Sequence, residues 1–356
     1  MKNLNQEINY YKNKKIKSIY APTFFWNKLI NNNYKAIKNG KLKIFRSKKG
    51  GFSGFVPFHS EIRRSKIKKN DFNKIDKLIN SFKILPKAKK KISSLIFSSL
   101  SGLDRAKDSY KTLLTDNIKP YFYNFKESNI GKPTEQFTFN GNKFSASSLN
   151  YLTGLLFLKN NIKKLDNKVY LEIGGGFGTI GEILINLKIK NIKYINLDLP
   201  PLNIISKFYL HKACKKKVMD HFEFQKKEVI KISELKTISC FPNFDIDKIK
   251  GKIDIFINFI SFQEMEYDVV KNYIDKIFTL SPKYILLRNL REGKNTKINK
   301  NRYTHSFNHF VKKPIKKESY IKLLKKNYNL INSNVEPYGF KTWDNYNSEL
   351  LLFKKK

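Results

Sequence analysis

Short apolar runs alternate with helix-like segments throughout the second half of the chain. The runs VYLEI, KYINL, TISCF, DIFINF and YILLRN have the length and the apolar, β-branched character of buried strands. Helical spacing of apolar residues occurs between them, and two late apolar runs follow at 329–335 and 349–353. This order predicts an α/β fold, Rossmann-like, with a seven-stranded sheet and helices on both faces. The predicted helices lie at about 178–188, 201–213 and 266–279.

The pattern changes twice before this region, which divides the chain into three parts. Residues 1–118 are rich in lysine and predict a mainly helical N-terminal region, for which the sequence indicates no function. Residues 119–168 predict a hairpin around Asn140-Gly141 and then a serine-capped helix, and we expect this part to contribute to an acceptor site. Residues 169–356 form the predicted Rossmann-like domain.

The composition of the chain excludes several classes of protein. The chain has 356 residues, 40% of them hydrophobic, which excludes an intrinsically disordered protein. No apolar stretch is long enough to span a bilayer and no secretory signal is evident, which predicts a cytoplasmic location. Cys214 and Cys240 lack metal-ligand spacing and are expected to be buried thiols.

The net charge of +42 comes almost entirely from lysine, since only seven of the 71 basic residues are arginine. Nucleic-acid readout favours arginine, and the excess lysine accompanies abundant Asn, Ile, Phe and Tyr, as A/T-rich coding would produce. Nucleic acid is therefore not expected as a partner. Contact with a polyanion or with the anionic inner face of a membrane remains an alternative, because charge alone attracts phosphate.

The strongest chemical signal is the stretch VYLEIGGGFGTIGEILINL, residues 169–187. Its glycines occupy the turn between the first predicted strand and its helix, where an open α/β sheet binds an adenosine-bearing cofactor. Asp198 ends the next strand, KYINLD, and a carboxylate there can accept hydrogen bonds from ribose hydroxyls. The five glycines are residues 174, 175, 176, 178 and 181.

Two frames fit these glycines. Gly176, Gly178 and Gly181 give G-x-G-x-x-G, which would suit an NAD-dependent oxidoreductase acting on a nucleotide sugar. Read from the strand, the stretch gives E-x-G-x-G-x-G, which resembles motif I of class I S-adenosylmethionine-dependent methyltransferases. That resemblance implies S-adenosyl-L-methionine as cofactor, with Glu172 supporting the loop and the ammonium group, Gly174, Gly176 and Gly178 admitting the methionine portion, and Asp198 holding the ribose. Asn258, at the end of the fourth strand, is predicted to orient the cofactor or the acceptor by hydrogen bonding.

A narrower resemblance covers residues 125–356. The segments LEIGGGFGTIGEIL, YINLDLPPLNIISKFYL, DIFINFISFQEM and ESNIGKP resemble a bacterial family of sugar O-methyltransferases associated with surface-polysaccharide gene clusters. The resemblance implies methylation of a sugar hydroxyl, and Glu127 of ESNIGKP is predicted to contact the substrate. Gln263 is predicted to orient the acceptor by hydrogen bonding, because it lies just past the fourth strand. The first 120 residues and the segment KKKVMDHFEFQKKEVIKISELK depart from the family pattern.

A sugar hydroxyl must lose its proton as it is methylated, so a positioned base is useful. Glu264 is the carboxylate that follows the fourth strand, and the alternative is that it only stabilises the helix starting near Glu266. His305 is the second candidate base. His305 and His309 have helical spacing but no third ligand nearby, so no metal site is predicted.

The predicted partner is a sugar acceptor that is free, nucleotide-linked or lipid-linked. N-terminal lysines with Arg63 and Arg64 would contact its phosphates or a membrane surface, or would form only a solvated basic face. A non-catalytic or RNA-binding module is the remaining alternative. The sequence does not determine the oligomeric state.

Overall fold

A mixed β-sheet lies at the centre of the part of the chain that the computed structural model describes. That part comprises residues 4–54, 69–134, 136–294, 311–341 and 346–356. The helices are α1 (Leu4–Asn13), α2 (Asn27–Lys38), α3 (Lys69–Ser81), α4 (Pro86–Leu113), α5 (Ala146–Ile162), α6 (Thr179–Asn186), α7 (Leu202–Cys214), α8 (Tyr267–Leu280) and α9 (Lys317–Leu324). The strands are β1 (Phe137–Phe139), β2 (Asn142–Phe144), β3 (Val169–Ile173), β4 (Lys193–Asp198), β5 (Met219–Asp220), β6 (Ile230–Lys231), β7 (Ile238–Pro242), β8 (Ile249–Lys250), β9 (Ile255–Phe259), β10 (Tyr284–Leu290), β11 (Tyr328–Asn334), β12 (Phe340–Lys341) and β13 (Asn347–Lys355).

The order across the sheet is β5-β7-β4-β3-β9-β10-β13-β11, and β12 also pairs with β13. In this order across the sheet, the first six strands, from β5 through β4 and β3 to β10, are all parallel. The strand β13 is antiparallel to β10, β11 and β12. The predicted Rossmann-like fold is confirmed, and the short strands β5 and β12 extend its seven strands to nine. Chain order reverses between β3 and β9, which is the switch point of the sheet.

Both faces of the sheet are covered by helices, as predicted. Successive strand residues point to opposite faces, so Tyr170 packs in one apolar cluster and Leu171 in the other. The first cluster includes residues of α5, α6 and α7 together with α1, α2 and α4. The second includes residues of α8 and α9. The near-continuous apolar strands of the sequence are explained by this burial on two sides.

The N-terminal region is mainly helical, as predicted, and it is tied to the sheet domain by hydrogen bonds. The Asn203 side-chain amide donates to the Tyr11 hydroxyl at 3.0 Å, and Lys207 pairs with Glu7 at 2.5 Å. Tyr11 is nearly enclosed, and its burial raises the pKa of the phenol above its usual value. The lysine-rich segment therefore shares the core of the domain that follows it.

The hairpin and the capped helix between these parts are confirmed. Asn140 and Gly141 have φ angles of 47° and 76°, the left-handed pair that a tight hairpin turn requires. The Ser145 side chain caps α5 by accepting from the Ser148 amide at 3.0 Å. Cys214 and Cys240 are buried free thiols, as expected. No helix in the described ranges is long and apolar enough to cross a bilayer.

Candidate functional site

A cavity of about 410 Å³ opens at the carboxyl ends of the parallel strands. Its walls include Gly174 after β3, Asp198 at the end of β4, Ser261 after β9 and Leu290 at the end of β10. These strands flank the switch point, where open α/β sheets bind their ligands. The cavity is therefore the candidate site that the topology selects.

The glycine turn forms one wall of the cavity, with Gly174, Gly175 and Gly176 among the lining residues. Gly174 has a φ of 70°, and a Cβ there would overlap the side chain of Ser261. A Cβ on Gly175 would lie 2.6 Å from the Glu172 carboxyl carbon. Side chains at these positions would clash with the loop's own supports, so the backbone itself faces the cavity.

Asp198 joins the glycine turn to the end of β4. Its carboxylate accepts from the Gly176 amide and from the Leu199 amide, both at 2.7 Å. Burial raises the pKa of Asp198 to about 7, although these two amides oppose that shift. Each carboxylate oxygen has a second lone pair, so the group can still accept hydrogen bonds from a ligand in the cavity.

Glu172 and Gly178 support the turn from behind, and the structure does not place them among the residues that line the cavity. Glu172 accepts from the Tyr194 hydroxyl at 2.5 Å, and burial raises its pKa to about 8. Gly178 has a φ of 94° at the start of α6, where a Cβ would lie 2.6 Å from Leu210. The support of the loop that was expected of Glu172 is therefore seen, and the contact of both residues with the cofactor stays a prediction.

Asn258 also lies behind the cavity wall, and its predicted contact with the cofactor stays a prediction. Its side chain is fully buried and does not line the cavity. The amide nitrogen donates to the Ile173 carbonyl at 2.9 Å and to the Ser261 hydroxyl at 2.6 Å. These bonds fix the ends of β3 and β9 to each other at the switch point.

The turn after β9 carries a strained residue into the cavity wall. Ile260 has a φ of 73°, a conformation that β-branched residues rarely adopt. Such strain persists where surrounding contacts enforce it, and it is concentrated at functional sites. Ser261, held by Asn258 and by the Ile173 carbonyl, is one of the contacts that fix this turn.

The predicted catalytic residue Glu264 and the predicted substrate residue Gln263 both line the cavity. Lys294 pairs with one Glu264 oxygen at 2.5 Å, and the Trp26 indole donates to the other at 3.1 Å. The alternative role for Glu264 was to cap α8 or to form an ion pair with it, and these carboxylate contacts are with other elements. The Gln263 side-chain oxygen accepts from the Leu290 amide at 2.7 Å, which orients the rest of its amide.

Glu127 is not among the lining residues of the cavity, and its predicted contact with the substrate stays a prediction. It is buried in an ion pair with Arg46, and it accepts hydrogen bonds from Ser145 and Ser148. The ESNIGKP segment thus anchors the first turn of α5. A buried carboxylate is retained there because its charge and its hydrogen-bonding capacity are satisfied by these partners.

Helix α5 supplies cavity residues that the sequence analysis did not identify. Ser147, Asn150 and Tyr151 lie at i, i+3 and i+4 and face the cavity. The polar residues at helical spacing in SASSLNYL were the available signal, but a capping role explained the serines equally well. Burial raises the pKa of Tyr151 well above its usual value, so its phenol remains a hydrogen-bond donor at neutral pH.

The N-terminal region supplies a further wall of the cavity, which no pattern in the sequence predicted. Its lining residues lie on the segment before α2, on α2, on the loop that follows the 3₁₀ turn Lys48–Gly50, and on α4. They are Ala21, Thr23, Phe25, Trp26, Leu29, Gly54 and Arg105.

Several predicted residues lie outside the described ranges. These are His305 and His309, the second candidate base and its neighbour, together with Arg63 and Arg64. Their assignments stay predictions. Among the described residues, no group of three or more His, Cys, Asp or Glu side chains could hold a metal ion.

Neither a family model nor a curated protein matches the chain. Solved structures do match. Magnesium protoporphyrin IX methyltransferase from Synechocystis PCC 6803 with bound SAH is 10% identical over 59% of this chain and 85% of its own, with a TM-score of 0.39. The mitomycin 7-O-methyltransferase MmcR is 13% identical over 59% of this chain and 57% of its own, with a TM-score of 0.36.

A third match is 1,6-didemethyltoxoflavin-N1-methyltransferase from Burkholderia thailandensis with bound 1,6-didemethyltoxoflavin and S-adenosylhomocysteine. It is 12% identical over 57% of this chain and 76% of its own, with a TM-score of 0.37. These scores are low, so the function of this chain is argued below from its own residues.

Proposed function

We propose that the protein is an S-adenosylmethionine-dependent methyltransferase that methylates a sugar hydroxyl. The observation that carries the proposal is that the backbone of the glycine turn and the Asp198 carboxylate line the same cavity at the switch point of the sheet. When bound, S-adenosylmethionine supplies an electrophilic methyl group on its sulfonium sulfur. The residues of this chain then have to hold the cofactor, orient the acceptor and remove one proton.

The cofactor half of the cavity fits the predicted ligand in two respects. Gly174 and Gly175 present backbone to the cavity at positions where side chains are sterically excluded, and Gly176 lines the same wall, so a chain of ligand atoms can lie close to the loop. Asp198 offers an acceptor for paired ribose hydroxyls, and Asp198 is already oriented by two backbone amides. Glu172 supports this arrangement from below by fixing Tyr194 of β4.

Glu264 is the proposed general base. It lines the cavity just beyond β9, and each of its oxygens retains a lone pair besides those used by Lys294 and Trp26. Glu264 would accept the proton of the acceptor hydroxyl as that oxygen is methylated, and the cofactor, held by the glycine turn and Asp198, would supply the methyl group and retain the electron pair of the bond that breaks. Gln263 and Asn150 line the same cavity and would orient the acceptor by hydrogen bonds.

Binding experiments test the cofactor assignment first. Calorimetry should detect S-adenosylmethionine binding to the wild type, and Asp198→Ala should weaken it at least tenfold because the acceptor for the ribose is lost. Asp254→Asn is the matched control, since Asp254 accepts from the Val169 amide at the amino ends of β3 and β9, away from the cavity at their carboxyl ends. Absence of binding to the wild type would refute the proposal, and tight NAD binding instead would support the oxidoreductase alternative.

The remaining assignments concern location and partners. We propose that the enzyme acts in the cytoplasm, in the synthesis of surface polysaccharide, and that lysines of the N-terminal region contact phosphates of a carrier-linked acceptor or an anionic membrane. Co-sedimentation with anionic and with neutral vesicles tests the membrane contact, and binding that does not depend on salt would contradict an electrostatic origin. Polyanion binding without methyl transfer would support the RNA-binding alternative.

A further inference from the structure

Trp26 links the N-terminal region to the proposed base. The indole nitrogen donates to Glu264 at 3.1 Å, and Trp26 itself lines the cavity. The opposite edge of the ring lies against Gly54, where a Cβ would be 2.7 Å from the indole Cη2 atom. Gly54 has a φ of 89°, so both its conformation and its neighbour exclude a side chain. The ring is therefore held between Gly54 and Glu264.

Further contacts hold the same segment against the turn after β9. The Thr23 hydroxyl donates to the Glu264 carbonyl at 3.0 Å, and the Phe24 amide donates to the Glu266 carboxylate at 3.1 Å. Lys294, the ion-pair partner of Glu264, lies 3.8 Å from the centroid of the Phe25 ring. The carboxylate is thus fixed by one cation and one neutral donor, both of which also line the cavity.

We propose that Trp26 is a positioning and specificity-determining residue, and that the wall formed by Thr23, Phe25, Trp26 and Leu29 recognises an uncharged, polyhydroxylated ring. This inference rests on the proposed function. An aromatic wall can cover the apolar C–H face of such a ring, while Glu264 accepts from its hydroxyls. The Glu264 charge is balanced by Lys294 within the cavity, so the acceptor does not have to supply a cation.

The two functions of Trp26 can be separated by two substitutions. Trp26→Phe keeps an aromatic ring and removes the N–H donor to Glu264. Because the Glu264 carboxylate then loses one of the contacts that orient it, kcat should fall about tenfold while KM changes less than twofold. Trp26→Leu removes the ring as well and should also raise KM about tenfold. A residue with only a structural role would not divide its effects between kcat and KM in this way.

The probes are a panel of uncharged methyl glycosides, tested by calorimetry with the S-adenosylhomocysteine-saturated protein and then by methyl transfer. Phe24→Leu is the matched control, because Phe24 belongs to the same segment, is exposed and does not line the cavity. Kinetics of Phe24→Leu should match the wild type. Unchanged kcat in Trp26→Phe, or wild-type KM in Trp26→Leu, would overturn the assignment.

The outcome is distinguishable from failure of the proposed function. If the wild type binds S-adenosylmethionine but no methyl glycoside, the acceptor inference is overturned and the cofactor assignment stands. If neither binds, both fail. Gly54→Ala gives an independent check, since displacing the indole should reproduce the kcat loss of Trp26→Phe, and wild-type kcat in a folded Gly54→Ala protein would contradict the inferred geometry.

Discussion

The Asp198 carboxylate accepts a hydrogen bond of 2.7 Å from the Gly176 amide, which joins the end of β4 to the glycine turn after β3. This bond makes two neighbouring strand ends one rigid unit inside the cavity. It also keeps a carboxyl group with a pKa raised to about 7 by burial directly beside the proposed ligand. The affinity for the proposed cofactor is therefore expected to depend on the protonation state of Asp198.

S-adenosylmethionine binding should tighten as pH rises towards 7. Ribose hydroxyls donate to the ionised form of Asp198, so the cofactor binds more tightly to the ionised carboxylate. Where Asp198 is protonated, binding of the cofactor therefore releases the proton of this carboxyl group. Affinity is expected to rise up to about tenfold per pH unit below pH 7 and to level off above it. Calorimetry in two buffers of different ionisation enthalpy would measure the released proton. Asp198→Asn should bind weakly at all pH values, and a flat wild-type profile would contradict the coupling.

Gly174→Ala should lower both stability and cofactor affinity. The added Cβ would overlap Ser261 in a backbone conformation with a φ of 70°, so we expect a loss of about 2–4 kcal/mol in the free energy of unfolding. Gly40→Ala is a matched control, because Gly40 has the same φ and no atom within 4 Å of the added Cβ. It should lose only about 1 kcal/mol. Equal losses in the two variants would mean that the glycine turn is not sterically restricted.

Glu127→Gln should destabilise the protein without changing cofactor affinity. Arg46 is buried against Glu127, and removal of the negative charge leaves a buried cation uncompensated, at a cost of about 3–5 kcal/mol. Chemical denaturation would measure the loss. Glu223→Gln, in the exposed pair with Lys217, should cost less than about 1 kcal/mol. Weaker acceptor binding with wild-type stability would instead support the substrate role predicted for Glu127.

Glu264→Gln should keep S-adenosylmethionine affinity and lower turnover about 10²-fold or more, because an amide cannot accept the proton. Transfer of labelled methyl groups to the best-bound methyl glycoside would measure turnover. Glu266→Gln is the control, since it retains an acceptor for the Phe24 amide and does not line the cavity. Near-normal turnover in Glu264→Gln together with loss in His305→Ala would assign the base to His305.

Much of the fold follows from local patterns in the sequence. The alternation of apolar runs with helical spacing predicted seven strands of the main sheet, and Asn140-Gly141 predicted the hairpin turn. These strands are β3, β4, β7, β9, β10, β11 and β13. Only the two-residue strands were missed, because so short a segment has no periodicity of its own. The glycine turn and Asp198 were also found from sequence, since consecutive strands in a parallel sheet bring their carboxyl ends to one edge.

The site residues divide according to how far their environment extends along the chain. Glycine positions and strand ends are set by neighbouring residues, so the sequence by itself determined the sheet, the turn and the place of Asp198. Only the tertiary structure decided that Asn258 and Glu127 turn inward, since alternation does not say which polar group finds a buried partner. It also brought Trp26 to Glu264, 238 positions away, because contacts across such a distance depend on the packing of the whole chain.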